Sequence, residues 1–257
     1  MIDDIQLKSF AAKYQTSEYT VLREYVQILF LDSFYQKKAV KQTFLKGGTA
    51  IRLLLGSPRF SEDLDFSTKQ TVKELETAVF STAKSLRALL PGLTVKNMET
   101  RQGYSAKLYL ANEISSQPLT IRLDFSLRAN ILETVTGAVE TELPVKIISV
   151  VDHLSAKELL AEKIHALINR QKGRDVFDVW FLLSKNAPFD KTFINKKLAF
   201  FDQRLEMEKI IKRINNWPDK ELAADLQPFL FTNNRKIIPE LKRLLSQKFR
   251  DLRGKEF

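Results

Sequence analysis

Two short runs hold residue types that could do chemistry together. The first is Lys46-Gly47-Gly48-Thr49; the second is Ser61-Glu62-Asp63-Leu64-Asp65-Phe66. The glycine doublet lies between a β-like segment, Thr43–Lys46, and a short helical segment, Ala50–Leu55. Without Cβ atoms, that turn lets the backbone approach a ligand closely, and N–H groups at a helix start can hold phosphate. The Thr49 hydroxyl can add a hydrogen bond or cap the helix. Alternation over Glu62–Ser67 predicts a strand, with Leu64 and Phe66 on one face and Asp63 and Asp65 on the other. Two carboxylates side by side repel each other. A divalent cation with hard oxygen ligands offsets that cost, and Mg²⁺ commonly takes one or two carboxylates plus substrate phosphates. Alone, Asp-x-Asp reads as a solvated strand face. Joined to Gly-Gly-Thr at this spacing, with an apolar opposite face, it points to metal and phosphate.

A third carboxylate comes from Leu119–Leu127, whose alternation puts Ile121, Leu123 and Phe125 on one face and Arg122, Asp124 and Ser126 on the other. If that strand pairs beside Glu62–Ser67, Asp124 joins Asp63 and Asp65. Three carboxylates could hold two metals, one on a triphosphate and one on an attacking hydroxyl. Alternatively, Asp124 could accept the hydroxyl's proton, or Arg122 and Asp124 could be an exposed stripe. Further on, Leu160, Ile164, Leu167 and Ile168 mark a helix stripe, with Lys163 beside it, where it could lean into a cleft between domains. After Gly173, Asp175 and Asp178 are i, i+3 neighbours and Arg174 can pair with Asp178 at i+4, a pattern that by itself reads as helix-surface salt bridging. His165 reads as a packed or partly exposed helical histidine.

The elements that must position these residues can be read from the rest of the chain. It has 257 residues, 41 Lys+Arg against 31 Asp+Glu, and a net charge of +10. It has no cysteine, which excludes disulfides, thiol nucleophiles and thiolate metal sites. With only His153 and His165, a His-rich metal site is excluded too. Of its 8 glycines, Gly47, Gly48 and Gly56 fall within ten positions. No window approaches the roughly 18 apolar residues of a membrane span, and the acidic start Met1-Ile2-Asp3-Asp4 shows no signal peptide pattern, so a cytoplasmic protein is expected. Periodicity predicts helices over Tyr19–Gln36 and Thr71–Leu90, and strands over Ser105–Leu110, Leu119–Leu127 and Val145–Val151. That is an α+β (or α/β) pattern. Beyond it the chain reads as helical. Ser155-Ala156-Lys157-Glu158 forms a capping box opening a helix to about Arg170, Arg174–Lys185 follows, and three or four more helices are separated near Pro188, Pro218 and Pro228. The expected domains are 1–152 and 153–257.

The runs Phe44–Ala50 and Arg59–Phe66, together with Glu162-Lys163, Arg170, Arg174-Asp175, Asp178 and Trp180, resemble the AbiEii/AbiGii nucleotidyltransferase toxins of abortive-infection and type IV toxin–antitoxin systems. The resemblance implies a DNA polymerase beta-type domain with a mixed β-sheet, then a helical C-terminal domain contributing Lys163 and Asp175 to the cleft. It implies that Lys46, Gly47, Gly48 and Thr49 meet the nucleotide phosphates, that Arg59 and Ser61 orient the approach to the metal, and that Asp63 and Asp65 hold Mg²⁺. Asp124 falls where a third carboxylate is expected. Lys163 matches an essential lysine and plausible triphosphate ligand, and Asp175 an essential late aspartate, with Asp178 close by. The implied substrates are an NTP and RNA, foremost the tRNA acceptor end, with translation as the process blocked. A winged-helix antitoxin encoded nearby is implied, without a tight complex. Competing readings are transfer to a protein or small molecule, and an inactive RNA-binding module. From 191 to 257 there are 16 Lys+Arg against 9 Asp+Glu, so RNA backbone is expected on the helical region.

Overall fold

We describe a computed structural model covering residues 2–37, 40–100, 102–127 and 130–254. The chain divides into two compact units, Met1–His153 and Leu154–Phe257. The first opens with two helices, α1 (Asp4–Tyr14) and α2 (Glu18–Tyr35). Then come β1 (Thr43–Lys46), α3 (Gly47–Leu55), β2 (Leu64–Thr68), α4 (Val72–Leu86), β3 (Thr94–Met98), β4 (Tyr104–Leu110), β5 (Leu119–Ser126), β6 (Thr134–Gly137) and β7 (Val151–Leu154). The strands form one mixed sheet in the order β3-β4-β5-β2-β1-β7-β6. This is an α+β architecture, as its sequence pattern indicates. β1 and β2 are antiparallel, β2 and β5 parallel, and β3, β4 and β5 antiparallel.

Alternation explains why the sheet has one oily and one wet face. On β5, Leu119, Ile121, Leu123 and Phe125 are buried while Thr120, Arg122, Asp124 and Ser126 are not. Phe66 of β2 stacks on Phe125 with centroids 4.6 Å apart, and Phe34 of α2 packs against both rings. Aromatic area of this kind dominates core energetics. α2 is buried on most sides and carries two buried polar side chains that tie it to α3 and to the loop before β2. Glu24 accepts two hydrogen bonds from Arg52 of α3, at 2.7 and 3.0 Å, and Gln27 donates to the Ser61 carbonyl at 3.2 Å. α4 begins with a reciprocal capping box between Thr71 and Glu74.

Several expectations shift. The expected strand Val145–Val151 is not one: the strand is Val151–Leu154, and the segment before it runs irregularly. Its amides at Ile148 and Ser149 donate to the Asp32 carboxylate, 2.8 and 2.7 Å, so they have no strand partner, and Ile148 and Val150 stay exposed. α3 starts on the glycines themselves, and β2 starts at Leu64, which leaves Asp63 just ahead of the strand. α4 ends at Leu86, four residues before the expected stop. The edge strands β3 and β6 escape sequence reading because their exposed residues carry no apolar alternation.

The second unit is helical: α5 (Ala156–Asn169), α6 (Gly173–Ser184), α7 (Lys191–Ala199), α8 (Met207–Asn215), α9 (Asp219–Leu226), two 3₁₀ segments, and α10 (Leu241–Arg253). The Ser155 hydroxyl caps α5 by accepting from the Glu158 N–H. Leu159, Leu160, Ile164 and Leu167 of α5, and Val176, Phe177 and Val179 of α6, lie in its core. Among the described residues no helix is long and apolar enough to cross a membrane.

Candidate active site

In the first unit, the antiparallel strands β1 and β2 are joined through α3, with the Asp-x-Asp run at the start of β2. Gly47 has φ +75°, a left-handed conformation that favours glycine, and a Cβ there would collide with Asp65 Oδ2. A Cβ on Gly48 would collide with the Arg59 guanidinium. Gly47 is therefore required twice over, by backbone conformation and by close approach. No side chain caps the start of α3, which leaves the first-turn N–H groups suited to an anion. The Thr49 hydroxyl is engaged elsewhere. It donates to the Asp63 carbonyl at 2.5 Å, pinning the helix start to the residue ahead of β2. Arg59 is buried and folds back, its Nη1 donating to the Phe60 carbonyl at 2.8 Å. Glu62 pairs with Arg23 of α2 at 2.8 Å, so both α2 contacts at residues 61 and 62 hold this approach in place.

Sheet register aligns the carboxylates. Asp65 lies opposite Lys46 on β1 and opposite Asp124 on β5, and Asp124 lies opposite Ser105 on β4. Ser105 Oγ donates to Asp124 Oδ1 at 2.7 Å, and Arg122 Nε sits 2.8 Å from Asp124 Oδ2. Both supporting residues fall outside the expected site set. Ser105 leaves no trace in the sequence beyond its place on an alternating strand, whereas Arg122 is visible two residues before Asp124. Desolvation, then the charges of Asp65, Glu62 and Asp124, push the Asp63 carboxyl up to about 6 from 3.8. Solvent still reaches Asp63, so the crowding by carboxylates is the firmer part of that cause. Among the described residues no three acidic or histidine side chains form a ready metal cage; Asp124 is held by Ser105 and Arg122. The donor set nevertheless fits a hard divalent cation: adjacent carboxylates on neighbouring strands, mutually repelling, beside a turn that accepts no Cβ.

In the second unit, Lys163 of α5 is 8% exposed and its Nζ lies 3.1 Å from Asp175 Oδ1 and 2.7 Å from Asp178 Oδ2, both on α6. Arg170 grips Asp175 as well, with Nε at 2.7 Å and Nη2 at 3.1 Å. Burial opposes charge on Asp175, but the Lys163 and Arg170 cations outweigh it and lower its pKa. Asp175 and Asp178 thus share one lysine. The Arg174 guanidinium lies over the Phe229 ring, 4.4 Å from its centroid, and His165 stacks on Phe201 at 3.9 Å.

A family model described as nucleotidyl transferase AbiEii toxin, type IV TA system, matches residues 29–253. The chain belongs to the AbiEii family. It is a nucleotidyltransferase of the toxin class, and the family implies an NTP substrate and an antitoxin partner. Among solved structures it resembles MenT4, the nucleotidyltransferase toxin Rv2826c from Mycobacterium tuberculosis H37Rv, with TM-score 0.70 and 15% identity, covering 100% of this chain and 91% of that one. It also resembles JHP933 from Helicobacter pylori, with TM-score 0.56 and 20% identity, covering 93% and 95%. At these identities the likeness is one of fold. A comparison with curated proteins finds no match.

Two expected results follow for this AbiEii protein. Gly47→Ala strains a left-handed backbone position and displaces Asp65, so activity should fall at least about 10²-fold, since misplacement of about 1 Å costs that much; steady-state rates check this. The raised Asp63 carboxyl sets a pH trend. Its protonated form favours the folded state, so that stability is full below 3.8 and is lost as pH rises through about 6. Without divalent cations, the melting temperature of the parent relative to Asp63→Asn should therefore fall between about pH 4 and 6. Mg²⁺ should flatten the fall.

Proposed function

We propose that this AbiEii protein transfers a nucleoside monophosphate from an NTP to RNA, with the tRNA acceptor end as the target and blocked translation as the outcome. The observation that carries the reading is the row Asp65–Asp124 beside the Gly47-Gly48 turn, with Asp63 adjacent. The turn and the start of α3 hold the triphosphate; Asp63, Asp65 and Asp124 hold Mg²⁺. A bound Mg²⁺ supplies charge neutralisation at the phosphates and activation of the attacking hydroxyl. The acceptor hydroxyl oxygen bonds to the α-phosphorus, the bond from that phosphorus to the β-phosphate oxygen breaks, and pyrophosphate leaves with the electron pair. In the alternative to metal binding, Asp124, fixed by Ser105 and Arg122, takes the hydroxyl proton. Lys163, steadied by Asp175 and Asp178, offsets triphosphate charge. The net charge of +10 favours a polyanionic acceptor.

The test is incubation with each labelled NTP, Mg²⁺ and total tRNA. Label on RNA is the expected result. Label on protein or small-molecule fractions instead would replace the acceptor, and no label in any fraction beside a working control transferase would sink the reading. RNA binding that survives substitution of Asp63 and Asp65, with no transfer, would mark an inactive binding module.

A further inference from the structure

On the wet face of the sheet, one rung away from the carboxylates, stands a second row. Lys96 of β3 lies directly opposite Lys107 of β4, and Lys107 lies directly opposite Arg122 of β5. Neighbouring strands are about 4.8 Å apart, so the three cations line up over about 10 Å. Like charges placed opposite each other across strands are destabilising. Among the described residues no carboxylate pairs with Lys96 or Lys107. Both ammonium groups instead converge on one ring: Lys96 Nζ lies 5.7 Å and Lys107 Nζ 5.6 Å from the centroid of Tyr109, the next residue on this face of β4. Tyr109 is half-buried and opposite Thr94 and Thr120. The third cation, Arg122, is half exposed and also grips Asp124.

The arrangement has a direction. Asp65, Asp124 and Ser105 form one rung; Arg122, Lys107 and Lys96 form the next; Thr120, Tyr109 and Thr94 form the one after. A nucleophile poised at the carboxylates would thus trail the chain behind it over a bank of cations and then over an aromatic ring. Cations tracking a backbone, with an aromatic face for a base, are what single-stranded nucleic acid needs. A small-molecule acceptor would have no use for charges beyond the first rung.

We propose that the Lys96–Lys107–Arg122 rung and Tyr109 form the track for the single-stranded acceptor end of the RNA, its phosphodiesters on the cations and a base against the Tyr109 ring. This deepens the proposed function and rests on its RNA acceptor. It also assigns the acceptor end to the sheet, where the charge count alone pointed to the helical region. Arg122 links the rungs, holding Asp124 with one nitrogen while it faces the track.

The test compares Lys96→Ala/Lys107→Ala with a charge-matched control on exposed residues elsewhere in the same unit, Lys69→Ala/Lys73→Ala. Both doubles remove side chains that solvent reaches, and melting curves check their folding. Binding of a short fluorescent single-stranded RNA is read by anisotropy across salt concentrations, NTP binding by the NTP-induced melting shift, and transfer by label on total tRNA. The track variant should bind the RNA about 10-fold or more weaker at low salt, with the salt slope reduced by about 1.4 for two lost phosphate contacts. Its NTP shift should be unchanged. Its KM for RNA should rise while kcat at saturating RNA holds. Unchanged RNA affinity and slope overturn the track, as does an equal loss in the control or a parallel loss of NTP binding. Wild-type protein that binds the RNA through these lysines but labels no RNA would leave the track standing and remove the RNA-transfer reading. Labelled RNA with an unaffected track variant does the reverse.

Discussion

Asp65→Asn should transfer nucleotide about 10³-fold more slowly than the parent, yet melt no lower than it in the absence of divalent cations. The two halves of that expectation have one origin. Asp65 sits in the middle of the row, with Lys46 on one side and Asp124 on the other. Its charge is one of those that push the neighbouring Asp63 carboxyl up to about 6, so removing it relieves repulsion when no cation is bound. With a cation and a triphosphate present, the same charge is a ligand. Metal stabilisation of phosphoryl transfer is worth several kcal/mol, and each ~1.4 kcal/mol is a factor of ten in rate. Asparagine keeps the shape and loses the charge, so the parent's Mg²⁺-induced rise in melting temperature should shrink in the variant. Steady-state transfer rates and melting curves with and without Mg²⁺ measure both. A variant with parental rates would show that this carboxylate does no chemistry.

Lys163→Met should lower the stability of the helical unit by about 3–5 kcal/mol, the usual cost of stranding buried charge by removing one partner. Lys163 faces Asp175 and Asp178, which are 1% and 0% exposed. Arg170 still holds Asp175 through two nitrogens, at 2.7 and 3.1 Å, whereas the lysine makes its shorter contact, 2.7 Å, with Asp178. The lost lysine therefore bears first on Asp178. Chemical denaturation followed by circular dichroism measures the loss. Lys163→Met/Asp178→Asn should recover part of it, because the stranded charge goes too. Any activity lost in a Lys163 variant must accordingly be read beside its stability. An activity loss that persists in the double variant at a temperature where it is fully folded is what the proposed role of Lys163 predicts; full recovery there would assign Lys163 to stability alone.

The residues proposed to carry the chemistry could be singled out in the sequence because chemistry constrains type and spacing together. Gly-Gly-Thr before an alternating Asp-x-Asp strand is a short-range pattern, and the antiparallel pairing of β1 with β2 does the rest. The pairing of β2 with β5 was conditional in the sequence, since nothing local says which strands become neighbours; the parallel register Asp65–Asp124 comes from the fold. What stayed hidden has physical reasons. Ser105 is one hydroxyl among many until β4 is laid beside Asp124. The edge strand β3 exposes Thr94, Lys96, Asn97 and Met98, and so lacks the alternation that marks a strand. Val145–Val150 alternates but finds Asp32 instead of a strand partner. The capping of α5 by Ser155, in contrast, is a matter of four consecutive residues and reads directly.

The parallel pairing of β2 with β5 also governs timing. Antiparallel pairing of β1 with β2 can bring Lys46 to Asp65 once α3 and β2 have been made, but Asp124 arrives only after α4, β3 and β4 have followed. Contacts between distant parts of a chain form late, after the entropy of closing the intervening loop has been met. A growing chain that has passed Asp65 therefore holds only part of its carboxylate row. The carboxylate row that we propose as the catalytic centre is therefore complete only once β5 has been laid beside β2.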